Sequence, residues 1–181
     1  MTTSIPHHDR STLEAAQRRI DELIESGAPL HDVLEELVRL VESLSPAGML
    51  ASILLLDDDR RHLRHGAGPS LPPAYNAAID GIEIGPEVGS CGTAAFHDKT
   101  VVVYDIANDR LWANFRALAL QYGLRACWST PIHGSDGAVL GTFANYYPVV
   151  RDPSPVDREL TEMITRSAAA AIEGSRAAAT Y

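Results

Sequence analysis

Two phrases of this sequence carry side chains able to do chemistry. The first is Gly89, Ser90, Cys91, Gly92 and Thr93, and the second is Cys127, Trp128 and Ser129. Glycines that open a helix expose backbone N–H groups and the positive end of the helix dipole, which suits a carboxylate, phosphate or small oxyanion. The same glycines could instead only let the helix pack closely on a sheet. A phosphate-cradling loop of nucleotide hydrolases needs Lys and Ser/Thr after its last glycine, whereas Thr93 and Ala94 follow here, so nucleotide hydrolysis is not supported. Arg116 and Arg125 could each clamp an anion bidentately or stand as solvated surface charges, Arg116 more so than Arg125.

Two cysteines are too few for a disulfide scaffold, and without CxxC spacing they do not read as a zinc or thioredoxin-type site. Cys91 and Cys127 read as reduced thiols. They would form a redox switch if the fold brought their sulfurs together, and are otherwise small buried hydrophobes. Seven histidines invite a metal or haem. His7 and His8 fall in the terminal stretch and His31 at a helix start. His62 and His65 lie three apart on a strand and so point to opposite faces, and His97 and His133 sit at element ends. No pair has ligand spacing, so no metal is expected and haem is disfavoured, with His97 its one candidate.

The elements that must position these groups follow from hydrophobic period. A flexible tail is expected over 1–10. Ser11 with Glu14 is a capping-box signature, and Leu13, Ala16, Ile20, Leu23 and Ile24 recur at helical spacing, predicting an amphipathic helix over 11–27. Residues 28–176 read as one α/β domain and 177–181 as a second tail. Inside the domain, Leu30 to Leu44 keep a helical period that stops before Pro46. Residues 49–56 and 61–67 read as a β-hairpin, 82–84 as a third strand and 100–104 as a fourth. Residues 109–122 are helical in part, with Trp112, Phe115 and Tyr122 able to form an aromatic lid or simply to pack on the sheet. Residues 126–132 and 139–147 form a second hairpin across a Gly134 to Gly137 turn, and Ser154, Pro155 and Asp157 cap a last amphipathic helix.

The 181 residues suit one domain with extensions, and 45% hydrophobic content supports a core. Fifteen basic against twenty-four acidic residues give a net charge of −9 with no Lys/Arg stripe, so direct nucleic-acid binding is not expected. No apolar run approaches the roughly 20 residues that cross a bilayer, and the N-terminal stretch lacks a signal-peptide pattern. The expectation is a cytoplasmic protein with no membrane contact.

In this order and spacing the phrases resemble the GAF family of sensory domains, the bacterial modules joined to histidine kinases, diguanylate cyclases or PAS domains. The resemblance covers about residues 30–172. It rests on Gly89 through Ala95, on Asp105, Ile106 and Ala107 with Leu111 and Trp112, on Gly123 through Ile132, and on Leu140 through Phe143 followed by Pro148. It implies an α+β fold, a GAF/PAS-like central antiparallel sheet of about six strands with helices on one face and a ligand pocket on the other. It also implies a homodimer whose end helices form a parallel bundle.

By the same resemblance the Cys127 face looks into the pocket. The expected ligand-binding residues are then Ser90, Cys91, Gly92, Thr93, Trp112, Phe115, Arg116, Arg125, Cys127, Ser129, Thr142, Ala144 and Tyr146. GAF reductases of free methionine sulfoxide use paired cysteines and carboxylates. Cys91 matches one of their cysteines, but this chain lacks the attacking thiol, Cys127 stands at their glutamate, and Ala144 and Tyr146 stand at their aspartates. No catalysis is therefore expected. Cyclic-nucleotide relatives share Asn108 and Phe115, but Arg110, Ala119 and Leu120 depart from their signature. Haem-binding relatives carry a histidine where 118–124 has none. A bilin needs a reactive cysteine beside a histidine, and Trp128 follows Cys127. The cofactor, if any, is unassigned.

The expected function is a regulatory sensor. It binds a small molecule, such as an anion or compact organic acid, and signals through dimeric end helices to an attached or partner output protein, a histidine kinase or diguanylate cyclase of a bacterial two-component system. The alternatives are a cysteine-based redox sensor or reductase-like enzyme, and a structural dimerisation module whose pocket is filled by its own side chains.

Overall fold

The computed structural model describes residues 7–45 and 47–180. Helix α1 (His7–Glu25) begins four residues ahead of the expected start at Ser11. None of His7 to Arg10 is a helix breaker, and the Ser11–Glu14 spacing is as compatible with a helix interior as with its cap. The tail expected ahead of His7 lies outside the described residues. Gly27, at φ +71, lets the chain reverse, and Ala28 N–H reaches back to Leu23 O at 3.3 Å, closing the helix end. Helix α2 (Leu30–Leu44) follows at once.

The sheet is built from β1 (Leu50–Leu56), β2 (His62–Ala67), β3 (Ile82–Glu83), β4 (Val101–Val103), β5 (Ala126–His133) and β6 (Val139–Tyr147). Its order is β3-β2-β1-β6-β5-β4, with every neighbouring pair antiparallel. The continuous apolar run of residues 50–56 thus becomes an inner strand, covered on both faces. Gly141 has no room for a side chain, since a Cβ there would meet Leu54 O at 2.1 Å, and its absence lets β6 lie close to β1.

Alternation along each strand divides the sheet into two faces. One carries Ala51, Ile53, Ala126, Trp128, Ile132, Phe143 and Tyr147 and is covered by α1, α2 and α6 (Pro155–Ala178). The buried Val33, Leu34, Leu37, Val38 and Val41 of α2 recur at helical spacing, and each contributes about 1.5–3 kcal/mol of burial. The other face carries Leu54, Leu56, Cys127, Ala144 and Tyr146. It is covered by α3 (Pro73–Ile79), α4 (Gly89–His97), a 3₁₀ turn (Arg110–Trp112) and α5 (Arg116–Gln121).

The partly helical segment over 109–122 is two pieces. Asp109 caps the first by accepting from Leu111 N–H at 2.9 Å, and Phe115 leaves helical geometry before the second begins.

Helix α6 starts on the expected cap. Ser154 Oγ accepts from Asp157 N–H at 3.2 Å, and the Asp157 carboxylate accepts from Ser154 N–H at 2.7 Å. Asp157 is buried, and its remaining lone pairs take Tyr147 OH at 2.9 Å and Arg151 Nη2 at 2.7 Å. That full set of donors compensates its desolvation. The helix continues to Ala178, two residues past the expected domain end at 176. Among the described residues no helix is long and apolar enough to cross a membrane.

Candidate functional site

The site lies where α4 meets β5 and β6. Gly89 adopts φ +55, which turns the chain into α4, while a Cβ on Gly92 would meet Val88 Cβ at 2.7 Å. The two glycines therefore serve different ends: Gly89 makes the turn and Gly92 permits its close approach to Val88. The hydroxyls flanking them are committed inside the fold. Thr93 Oγ1 donates to Gly89 O at 2.6 Å and accepts from Val88 N–H at 2.9 Å. Ser90 Oγ donates to Cys127 O at 2.9 Å and accepts from Trp112 Nε1–H at 3.0 Å. Four expected ligand-binding residues, Ser90, Gly92, Thr93 and Trp112, thus shape and brace the pocket.

The sheet beneath α4 is laid out in register, with Tyr146 reaching the pocket. Leu50, Tyr146, Cys127 and Val103 form one cross-strand row, and Ser52, Ala144, Ser129 and Val101 form the next. Thr142 pairs with Leu54 and Pro131 in a third. Small Ala144 separates two serines whose hydroxyls, like that of Thr142, are buried and make no hydrogen bond. Buried hydroxyls without partners are uncommon and each calls for an explanation. Above them Tyr75 OH donates to Tyr146 OH at 3.1 Å, with the rings edge to face at 5.6 Å. A residual void of about 20 Å³ remains, lined among others by Tyr75, Ser90, Cys91, Trp112, Phe115 and Tyr146.

Cys91 and Cys127 are free thiols, both buried in the layer between α4 and the sheet. Cys127 above all, with Ser129, Thr142 and Tyr146, can donate to a thiolate at Cys91, bringing its pKa down to about 7 against the opposing effect of burial. Cys127 moves the other way, well above an ordinary thiol, because burial and then a neighbouring Cys91 thiolate disfavour its ionisation. Burial also raises Tyr75 and Tyr146. Ser129 and Thr142 lie close enough to favour the Cys91 thiolate, although neither hydroxyl makes a hydrogen bond.

The two arginines stand apart from this cluster. Arg116 donates to Ile106 O at 3.3 Å and Asp109 O at 2.8 Å, tying α5 to the preceding loop. Arg125 is exposed, 3.9 Å from Asp105. Neither lines the void, and neither does any other charged side chain. His97, at the end of α4, is exposed beside Pro86 O at 3.3 Å, and His133 pairs with Asp98. Among the described residues no group of three His, Cys, Asp or Glu converges as a metal site.

A wider cleft of about 190 Å³ opens on the other face between β4 and the start of α6, over Trp128, Thr130, Arg158 and Glu162. Its principal buried charge, Asp157, is already committed to the helix cap. The interior pocket, which touches Cys91 and overlies the face with Cys127 and the unbonded hydroxyls, is the chemically distinctive one.

Reading the sequence missed Ser52 and Tyr75. Ser52 could have been found: it is the one polar side chain in the apolar run of residues 49–56, and it shares a face with Leu50 and Leu54 by the period of two. Tyr75 gave no comparable signal, since only the packing of α3 over the sheet brings it to Tyr146.

The GAF domain family profile matches residues 27–173. The methyl sulfide methyltransferase-associated sensor of Methanosarcina acetivorans is 40% identical over 163 residues, covering 90% of this chain but only 16% of that sensor. A domain of a putative two-component sensor histidine kinase from Sinorhizobium meliloti has a similar structure, with TM-score 0.68 at 19% identity over 84% of this chain and 96% of that one. So does free methionine-R-sulfoxide reductase from Neisseria meningitidis in complex with its substrate, with TM-score 0.65 at 18% identity over 89% and 88%. At these identities the two structures attest the fold alone. With the antiparallel sheet, the α4 turn and a match over most of its length, the chain belongs to the GAF domain family.

Proposed function

We propose that this chain is a non-enzymatic sensory module in which a compact molecule in the interior pocket changes the packing of α1, α2 and α6, and that a dimer of these helices passes the change to an attached or partner output protein. The observation that carries this reading is the sharing of β5 and β6 by both faces. Cys127, Ser129, Thr142 and Tyr146 share the face toward α4, and Tyr146 reaches the pocket, while their immediate neighbours Trp128, Phe143 and Tyr147 look toward α2 and α6. A shift of either strand at the pocket therefore moves the floor under the helices. Helix α1 is coupled to α6 through Gln17 Nε2–H donating to Ser167 Oγ at 3.0 Å.

The sensor-named relative supports a sensory role. The pocket's uncharged lining argues for a small neutral ligand rather than the anion or organic acid expected from the glycine-opened helix start and the arginines. A ligand can shift the helices only by the difference in its affinity for the two arrangements.

Native mass spectrometry of gently purified protein tests this. A dimer carrying a reproducible added mass is the expected result. A monomer would overturn the end-helix route, and a dimer to which no small molecule adds at any concentration would overturn the pocket.

A further inference from the structure

The face of the sheet under α4 holds groups that the fold itself does not use. Three buried hydroxyls, those of Ser52, Ser129 and Thr142, make no hydrogen bond. Two buried thiols lie in the same layer, linked through Ser90, which precedes Cys91 and donates to the Cys127 carbonyl, and the void of about 20 Å³ touches Cys91. A space of that size holds about one water-sized molecule, far below the roughly 300 Å³ of an ordinary ligand pocket. Its lining has no carboxylate, amine, guanidinium or imidazole, and the titratable groups that face Cys91 are Cys127, Tyr146 and Tyr75.

We infer that Cys91 and Cys127 are a hydroperoxide-reactive dithiol, with the void beside Cys91 as the seat of the peroxide and an intramolecular disulfide as the product. This deepens the sensory reading, on which it rests for any effect beyond the pocket. Cys91, as thiolate, attacks one oxygen of hydrogen peroxide. The O–O bond breaks, the departing hydroxide takes a proton and leaves as water, and Cys91 becomes a sulfenic acid. Cys127 Sγ then attacks Cys91 Sγ, the S–O bond breaks, and the hydroxide leaves as a second water with the proton of Cys127. Two electrons pass from the two sulfurs to the peroxide, and two thiols and one hydrogen peroxide give one disulfide and two waters.

The roles differ because the surroundings differ. Cys91 borders the void, which makes it the attacking thiol, whereas Cys127 does not line it and, being buried, keeps its proton until the second step. Ser90 joins the two sides, since it precedes Cys91 in α4 and donates to the carbonyl of Cys127 in β5. A disulfide would fix α4 to β5 at that point.

The experiment treats the fully reduced chain with hydrogen peroxide, quenches it in acid, and reads mass and peptide linkage. Both thiols should disappear together, with a mass loss of two hydrogens and a peptide joining Cys91 to Cys127. Cys127→Ser should accumulate a dimedone-reactive oxygen adduct at Cys91, and Cys91→Ser should react at least about tenfold more slowly. Should either variant fail to fold, the wild-type rate still decides: it should rise about tenfold per pH unit up to neutral pH and then level off.

Thiols that stay reduced under excess peroxide, a first oxidation at Cys127, or disulfides only between molecules would overturn the inference. Hydrogen exchange in α1 and α6 separates it from the sensory reading. A disulfide that leaves both helices unchanged upholds the dithiol and overturns the end-helix route. A helix response to a non-oxidising ligand, with both thiols inert to peroxide, upholds the sensor and overturns the dithiol.

Discussion

The two faces of the sheet are built on different rules. The face under α1, α2 and α6 is packed with Phe143, Tyr147, Ile53 and Ile132 against Leu and Val from the helices, and Asp157, the one buried charge among the described residues, is fully bonded. The face under α4 is as thoroughly buried, yet it carries two thiols, three unbonded hydroxyls and a void. Burial alone therefore does not distinguish structure from function in this domain. A concentration of unbonded polar groups does: the helix face leaves Trp128 Nε1 without a partner, whereas the α4 face leaves three hydroxyls, and such groups lower stability and persist where something other than stability is served.

The sharpest way to break this comparison is to delete equal bulk from the packed face. Phe143→Ala should destabilise by about 3–5 kcal/mol in denaturant unfolding, since the helices above it cannot all relax into the cavity. Asp157→Ala should come next, at about 3 kcal/mol, because it strands Arg151 and Tyr147 OH and uncaps α6.

The pocket face should respond to pH instead. Cys91 has its pKa lowered on folding, so its stabilising contribution is full above the ordinary thiol value near 9.0 and fades as pH falls through about 7. Stability should climb by about 1–2 kcal/mol from pH 7 to 9. It should turn down above that, where the unfolded chain releases the Cys127 proton that the fold retains. Cys127→Ala should flatten the rise, as read by chemical denaturation across that range.

The smallest effect sharpens the comparison most. Ser129→Ala and Thr142→Val remove hydroxyls that bond nothing, so each should change stability by less than about 1 kcal/mol, on the stabilising side. Both should nonetheless slow alkylation of Cys91 at neutral pH, because its thiolate loses a donor.

Much of this architecture is legible in the sequence, and the reason differs by element. Helix α2, with apolar residues every three or four, and α6, with Ser154 and Asp157 at its start, declare themselves because period and cap agree. The two hairpins are equally plain. The start of α1 is not, since Ser11 with Glu14 also fits inside a helix.

At the site, the period of two is enough to place Cys127 with Ser129, and Thr142 with Tyr146, on common faces. Legibility ends where a side chain's direction depends on tertiary partners. Arg116 is drawn to the carbonyls of Ile106 and Asp109, and Ser90 and Thr93 are taken up by bonds within and around α4. No spacing rule announces that the hydroxyls left over are the ones without a partner.

The two tryptophans of this chain fall one to each face. Trp112 donates its indole N–H to Ser90 over the void, whereas Trp128 lies under Arg151, 5.4 Å from the guanidinium carbon, on the helix side. In optical terms the domain carries its own pair of probes. With Trp128→Phe the emission reports the pocket, with Trp112→Phe it reports the helix layer, and the interval between the two signals after rapid mixing times the passage of a disturbance through the sheet.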